Sequence, residues 1–122
     1  MEVGYWGIQG LMRPIRDLLK YLDADYTEYN PQSREEWGVK KQQLIDSGFA
    51  LPNLPYLIDG DVKISESWAV PRYIIGKYHR NDLVGKNSKD GVNIIMVMGV
   101  VRDLASTFAS IITSEDYSQK IT

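Results

Sequence analysis

Apolar positions change their spacing several times along the chain, and each change marks an element. The stretch EVGYWGI, Glu2 to Ile8, is short, aromatic and β-branched and ends near Gly10, which predicts a strand. MRPIRDLLKYLDA follows, with Ile15, Leu18, Leu19 and Leu22 on one face and Pro14 where a first-turn proline is tolerated, so it predicts a helix. DYTEYNP predicts a second, parallel-capable strand closed by Asn30-Pro31. Residues Gln32 to Leu51 are polar with scattered apolar positions (Trp37, Val39, Leu44, Ile45), which predicts a mobile loop with short helical pieces. In PYLIDGDVKIS two short apolar strands flank Gly60-Asp61, a tight-hairpin dipeptide. ESWAVPRYIIGKYH predicts a helix with Ala69, Tyr73, Ile74 and Tyr78 buried, and HRNDLVGKNSKDG a polar linker. From Val92 to about Thr113 a longer helix is apolar on more than one face through Ile94, Val97, Val101, Leu104, Phe108 and Ile111. Such a helix needs partners on at least two sides.

The order βαβ followed by ββα makes a four-stranded mixed sheet with helices packed on it, an α/β, thioredoxin-like layout. The expected organisation is a sheet domain over 1–80, a linker over 81–91, and over 92–122 the first helix of an all-helical domain. At 122 residues the chain has room for one modest core and no more than one complete domain. Its net charge of −2, from 14 basic and 16 acidic side chains, gives no reason to expect nucleic acid or an anionic membrane as partner. The chain has no cysteine, which excludes disulfides and cysteine-based catalysis or metal binding and is compatible with a reducing compartment. Met1 to Gly4 lacks a basic n-region and a long apolar run, so no secretory signal is expected there. The apolar run Val92 to Ala109 is broken by Gly99, Arg102 and Asp103, so no membrane span is expected and the chain reads as cytoplasmic.

The chemistry gathers where NLPYLID meets SESWAV. Leu54-Pro55 stands before the third strand, where a cis peptide would turn the backbone groups of Leu54 away from the sheet, free to pair with an extended peptide. A helix starting near Glu66 aims unpaired N–H groups and its positive dipole end at the same spot. A ligand carboxylate fits the N–H and Oγ of Ser67, and Glu66 suits a ligand ammonium. A small zwitterionic peptide matches that arrangement.

GYWGIQGL, RPIRDLLKY, NLPYLIDGDVKIS and ESWAVPRYI, in this order and spacing over residues 3 to 80, resemble the glutathione transferases, most closely their mu-like class. The resemblance implies glutathione as substrate, a hydrophobic electrophile as second substrate, and no metal. It implies that Tyr5 donates a hydrogen bond to the glutathione sulfur. A thiol with a pKa of about 8.5 is mostly protonated at neutral pH, so a donor favouring the thiolate supplies more nucleophile. By the same resemblance Trp6 lines the site, and Trp37 and Lys41 hold the glycine carboxylate end. Asn53, Leu54 and Pro55 form the backbone-pairing strand entry, while Glu66 and Ser67 grip the γ-glutamyl end. Asp103 resembles an aspartate that reaches across a dimer interface to the partner's glutathione. His79, the only histidine, reads as a helix-end residue with no catalytic role.

Three departures stand out. Glu66-Ser67 replaces a Gln-Ser pair, Gln9 replaces a usual arginine, and Pro71 falls early in the third helix, where it is expected to delete one backbone bond. Family members carry several more helices than the one begun at Val92, so the chain reads as truncated or as a fragment. Two function classes follow. One is a glutathione transferase working through a tyrosine-stabilised thiolate, as a homodimer. The other is a non-catalytic subunit with a structural role in an assembly of unlike chains, its apolar helix covered by a partner.

Overall fold

The computed structural model describes residues 1–112 of the chain. They fall into two compact units, Met1–His79 and a second that begins at Arg80.

In the first unit, strands β1 (Glu2–Gly4), β2 (Thr27–Tyr29), β3 (Tyr56–Asp59) and β4 (Val62–Ser65) form one sheet in the order β2-β1-β3-β4. β1 runs parallel to β2 and antiparallel to β3, which pairs antiparallel with β4. The parallel pair needs a crossover, and helix α1 (Arg13–Tyr21) supplies it after a 3-10 turn at Gly10–Met12. The hairpin turns at Gly60, whose φ of 59° is a conformation glycine adopts without a Cβ clash. This is the mixed thioredoxin-like sheet that the sequence predicts.

Alternation along the strands divides the apolar side chains between two faces. Val3 and Leu57 point one way and pack with Met12, Ile15 and Leu19 and with Val70 and Ile74 of α3 (Ala69–Lys77), all fully buried. Each such side chain contributes about 1.5–3 kcal/mol by leaving water. Tyr56 points the other way, into a second cluster with Leu44 and Phe49 that Trp37 and Ile58 border. Its ring stacks on Trp37 at 6.1 Å and 15° and meets Phe49 edge-on at 6.4 Å. Gly4 faces that ring closely enough that a Cβ there would stand 2.1 Å from it, so β1 can pass only as glycine.

The second cluster depends on an element that the sequence reading described as a mobile loop. Residues Arg34–Asp46 form one continuous helix, α2. Ser33 caps it, its Oγ accepting from the Glu36 amide at 3.0 Å, and the Glu36 carboxylate accepts in turn from the Gln32 amide at 2.8 Å. This is close to the capping box that an S-x-x-E spacing announces. The apolar positions of α2 do not gather on one face, so periodicity alone misses it. In α3, Val70 is buried while Ala69 is exposed and Tyr73 and Tyr78 are half-buried, which shifts the buried face by one residue from the expected one. Pro71 is the third residue of α3, inside the first turn, where no intrahelical bond is made, so it deletes none. His79 follows the helix with φ 55° and donates its amide to the Gly76 carbonyl, a helix-ending geometry.

The second unit holds a 3-10 turn at Asn81–Val84 and the helix α4, Ser88–Ile112. Asn87 opens α4 by accepting from the Asp90 amide at 2.9 Å. The expected last residue of this helix, Thr113, lies outside the described residues. No α4 side chain is buried. With 25 residues and a mean hydropathy of 1.6 over its most apolar window, α4 is long and apolar enough to cross a membrane by length and composition. Arg102 and Asp103, on which the opposite expectation rested, lie within it.

Candidate functional site

The pairing registers bring four residues into one row at an end of the sheet. Gly4 pairs with Tyr29 and with Tyr56, and Tyr56 pairs with Ser65. One residue beyond the ladder, Asn30, Tyr5, Pro55 and Glu66 therefore stand side by side across the four chains, neighbouring chains being about 4.8 Å apart. Hydrogen bonds continue the row. The Tyr5 amide donates to the Tyr29 carbonyl at 3.0 Å, the Asn30 Nδ2 to the Tyr5 carbonyl at 2.9 Å, and the Glu66 amide to the Pro55 carbonyl at 3.1 Å.

Tyr5 leaves β1 on the α1 side and is buried, 7% exposed. Its hydroxyl accepts the Leu11 amide at 3.2 Å. Gly10 passes so close that a Cβ there would lie 2.7 Å from the Tyr5 Oη, and its φ of 38° favours glycine besides. Among the described residues the Tyr5 hydroxyl donates to no acceptor, so its proton is available to a ligand.

Leu54-Pro55 is cis, as expected. Leu54 packs against both core clusters, and its backbone groups join none of the hydrogen bonds among the described residues. Glu66 has a φ of 87°, a left-handed conformation that a residue with a Cβ holds only when its surroundings over-determine it. Here they do. Its amide is fixed by Pro55, and its carbonyl accepts the Ala69 and Val70 amides at 3.1 Å each. α3 thus starts three residues later than expected, with Glu66, Ser67 and Trp68 as the turn into it. The Ser67 amide and hydroxyl find no partner among the described residues.

The remaining sequence-predicted residues are more spread out. Trp6 is half-buried against the first core cluster, next to Tyr5. Trp37 sits on α2 and reaches the row through its stack on Tyr56, while Lys41, one turn further, is exposed and meets no partner among the described residues. Its neighbour Lys40 is the lysine engaged with the sheet, 3.4 Å from Glu2 and 5.0 Å from the centre of the Tyr29 ring. Asn53 is exposed before Leu54. Asp103 belongs to α4 in the second unit. A cavity of about 380 Å³ lined by Gln9, Arg13, Arg16, Lys20, Asp23 and Tyr26, among others, includes none of the predicted site residues.

The sequence reading gave no role to the groups behind Tyr5. Arg16 donates from Nε to both oxygens of Glu28 at 3.1 Å, from Nη2 to Glu28 and the Trp6 carbonyl, and from Nη1 to the Ile8 carbonyl at 2.6 Å. Asn30 donates to the same Glu28 at 2.9 Å. Burial opposes the charge on Glu28, but the hydrogen bonds from Arg16 and Asn30 and the Arg16 charge outweigh it and hold the carboxyl below the usual glutamate range. Arg16 lies on α1 among Arg13, Asp17 and Lys20, so its type gave no signal in the sequence. Among the described residues no group of three or more His, Asp or Glu could hold a metal ion.

A mixed sheet with a cis-proline before its third strand, and a helix turned in beside that proline, defines a thioredoxin-like domain. The comparisons with known proteins narrow the class. The family model of the glutathione S-transferase N-terminal domain matches residues 1–76. The chain belongs to the glutathione S-transferase family. It is 40% identical over 117 residues to the class-mu 26 kDa isozyme of Schistosoma japonicum, covering 94% of this chain and 51% of that protein. To glutathione S-transferase Mu 4 of Rattus norvegicus it is 35% identical over 124 residues, covering 96% and 54%. The crystal structure of the glutathione S-transferase Blo t 8 superposes with a TM-score of 0.80 at 30% identity, over 98% of this chain and 55% of that one. The chain spans about half the length of the curated relatives it matches.

Proposed function

We propose that the chain binds reduced glutathione across the sheet end and that Tyr5 holds the glutathione sulfur as a thiolate for attack on a hydrophobic electrophile. The observation that carries this reading is the Tyr5 hydroxyl, which accepts the Leu11 amide at 3.2 Å and so is left with its own proton to donate. A donor aimed at a developing or ground-state anion stabilises it without reorganising at the moment of reaction. The thiol loses its proton to solvent, and the sulfur gives its electron pair to the electrophilic carbon to form the new carbon–sulfur bond. The bond from that carbon to the leaving group breaks, the group departs with its electron pair, and the tyrosine hydroxyl stays protonated throughout.

The other assignments are those that the family resemblance implies. The free backbone groups of Leu54 pair with the cysteinyl portion, with Asn53 and Pro55 shaping the approach. Glu66 faces the ammonium and Ser67 the carboxylate of the γ-glutamyl end. Trp37 and Lys41 receive the glycine carboxylate, and Trp6 walls the sulfur. Being a lysine on an exposed helix face, Lys41 contributes charge and little else.

Calorimetry with glutathione and a turnover assay with a chromogenic electrophile test the reading together. Glu66→Ala combined with Ser67→Ala is expected to abolish binding in a folded protein. Tyr5→Phe is expected to lower turnover about a hundredfold, the size of losing one stabilising donor, with glutathione affinity retained. A Tyr5→Phe variant as active as the parent would remove the tyrosine from its role, and absence of binding by the parent chain would remove the site.

A further inference from the structure

We infer that Asn30 is a positioning residue for Tyr5, acting on its main chain through a clasp that it shares with Glu28 and Arg16. This rests on the reading of Tyr5 as the group that faces the sulfur. The segment from Tyr5 to Gln9 leaves the sheet after β1 and turns into the Gly10–Met12 3-10 turn. Once past the ladder, its carbonyls have no strand to pair with. Three of them are taken by side chains: that of Tyr5 by Asn30 at 2.9 Å, that of Trp6 by Arg16 at 3.3 Å, and that of Ile8 by Arg16 at 2.6 Å. Both donors are themselves fixed at one carboxylate, Glu28 in β2. The clasp joins β2, α1 and the segment, linking residues as far as 25 positions apart.

Tyr5 is therefore held at three points. The Tyr29 carbonyl holds its amide, the Leu11 amide fixes the hydroxyl and Asn30 fixes the carbonyl, the one point beyond the ladder that a side chain supplies. Asn30 fits this place because its amide nitrogen carries two protons, one for the Tyr5 carbonyl and one for Glu28. Aspartate has nearly the same shape with no proton to give at neutral pH, and it sets a second carboxylate against the first. Freed from Asn30, the Tyr5 backbone can rotate, and the hydroxyl drifts from both Leu11 and the sulfur. Misplacement of a reacting group by about 1 Å costs up to about a hundredfold in rate.

The test uses the full chain with Asn30→Asp and Asn30→Ala, the second removing the donor without adding charge. Two readouts are followed. The first is hydrogen exchange of the Leu11 amide, which reports the Tyr5 hydroxyl contact whether or not glutathione is present. It is expected to quicken about tenfold or more in both variants while amides of β3 keep their protection. The second is steady-state conjugation, where kcat is expected to fall about tenfold or more with KM for glutathione within about twofold. A merely structural role would raise exchange in β3 as much as at Leu11, or lower activity only in proportion to the folded fraction, and either result overturns the proposal. Unchanged Leu11 exchange in both variants overturns it too. If the parent chain shows no conjugation, the function proposed above fails while Leu11 exchange still decides whether Asn30 holds Tyr5.

Discussion

Tyr56→Phe removes one oxygen from the centre of the first unit and leaves everything else in place. The hydroxyl of this fully buried side chain donates to Glu2 Oε1 at 2.6 Å. Burial and the Glu2 carboxylate push the phenol far above its ordinary range, so it stays a donor at every working pH. A hydrogen bond to a charged acceptor contributes roughly 1.5–3 kcal/mol. Glu2 is 36% exposed and keeps Lys40 at 3.4 Å, so its carboxylate is not stranded when the hydroxyl goes. The lower figure therefore applies, about 1.5 kcal/mol, or about 6–12 °C in the melting temperature of a domain of this size. The phenylalanine ring retains the stack on Trp37 and the edge contact with Phe49, so no cavity opens. Urea unfolding followed by circular dichroism should show a lower midpoint with an unchanged slope. In a Glu2→Ala background the same change should cost much less, because the acceptor is already gone. A loss below about 0.5 kcal/mol, or an equal loss in both backgrounds, would refute the reasoning.

Gly10→Ala places a methyl group 2.7 Å from the Tyr5 Oη in a left-handed backbone conformation. It should destabilise by about 1–2 kcal/mol, and conjugation should fall more than glutathione affinity; an active, fully stable variant would show that the 3-10 turn relaxes freely. Glu28 gives a pH signature. Because its carboxyl is held below the ordinary value, its stabilisation is present above the unfolded pKa, about 4.3, and is lost as pH falls through the lower folded value. The stability gap between the parent and Glu28→Gln should therefore be widest near neutrality and close in acid, and a gap constant from pH 7 to pH 3 would contradict the assignment.

What the sequence disclosed depended on how local the cause was. The hairpin at Gly60, the proline entry at Pro55 and the amphipathic α1 each rest on neighbouring residues, and all were readable. α2 was readable too, but in its cap and not in its period. Ser33 and Glu36 form the signal, whereas the scattered Trp37, Leu44 and Ile45 argue against a helix until the sheet face they cover is known. The strand through Tyr5 was expected to run to Ile8 but pairs only as far as Gly4, because the following carbonyls turn to Arg16 and Asn30. Those partners are distant in sequence, and no spacing announces them. The left-handed Glu66 was equally hidden, since only the closing of β4 beside Pro55 imposes it.

The Trp37–Tyr56 stack has a practical side. The three tryptophans of the chain, Trp6, Trp37 and Trp68, all belong to the first unit. Indole emission therefore arises in the first unit, whereas far-ultraviolet ellipticity registers the 25 helical residues of α4 as well. The molecule carries its own pair of separable probes without any label. If the emission and ellipticity curves coincide on unfolding, the two units melt as one cooperative body; if the emission curve moves alone, the sheet unit melts by itself.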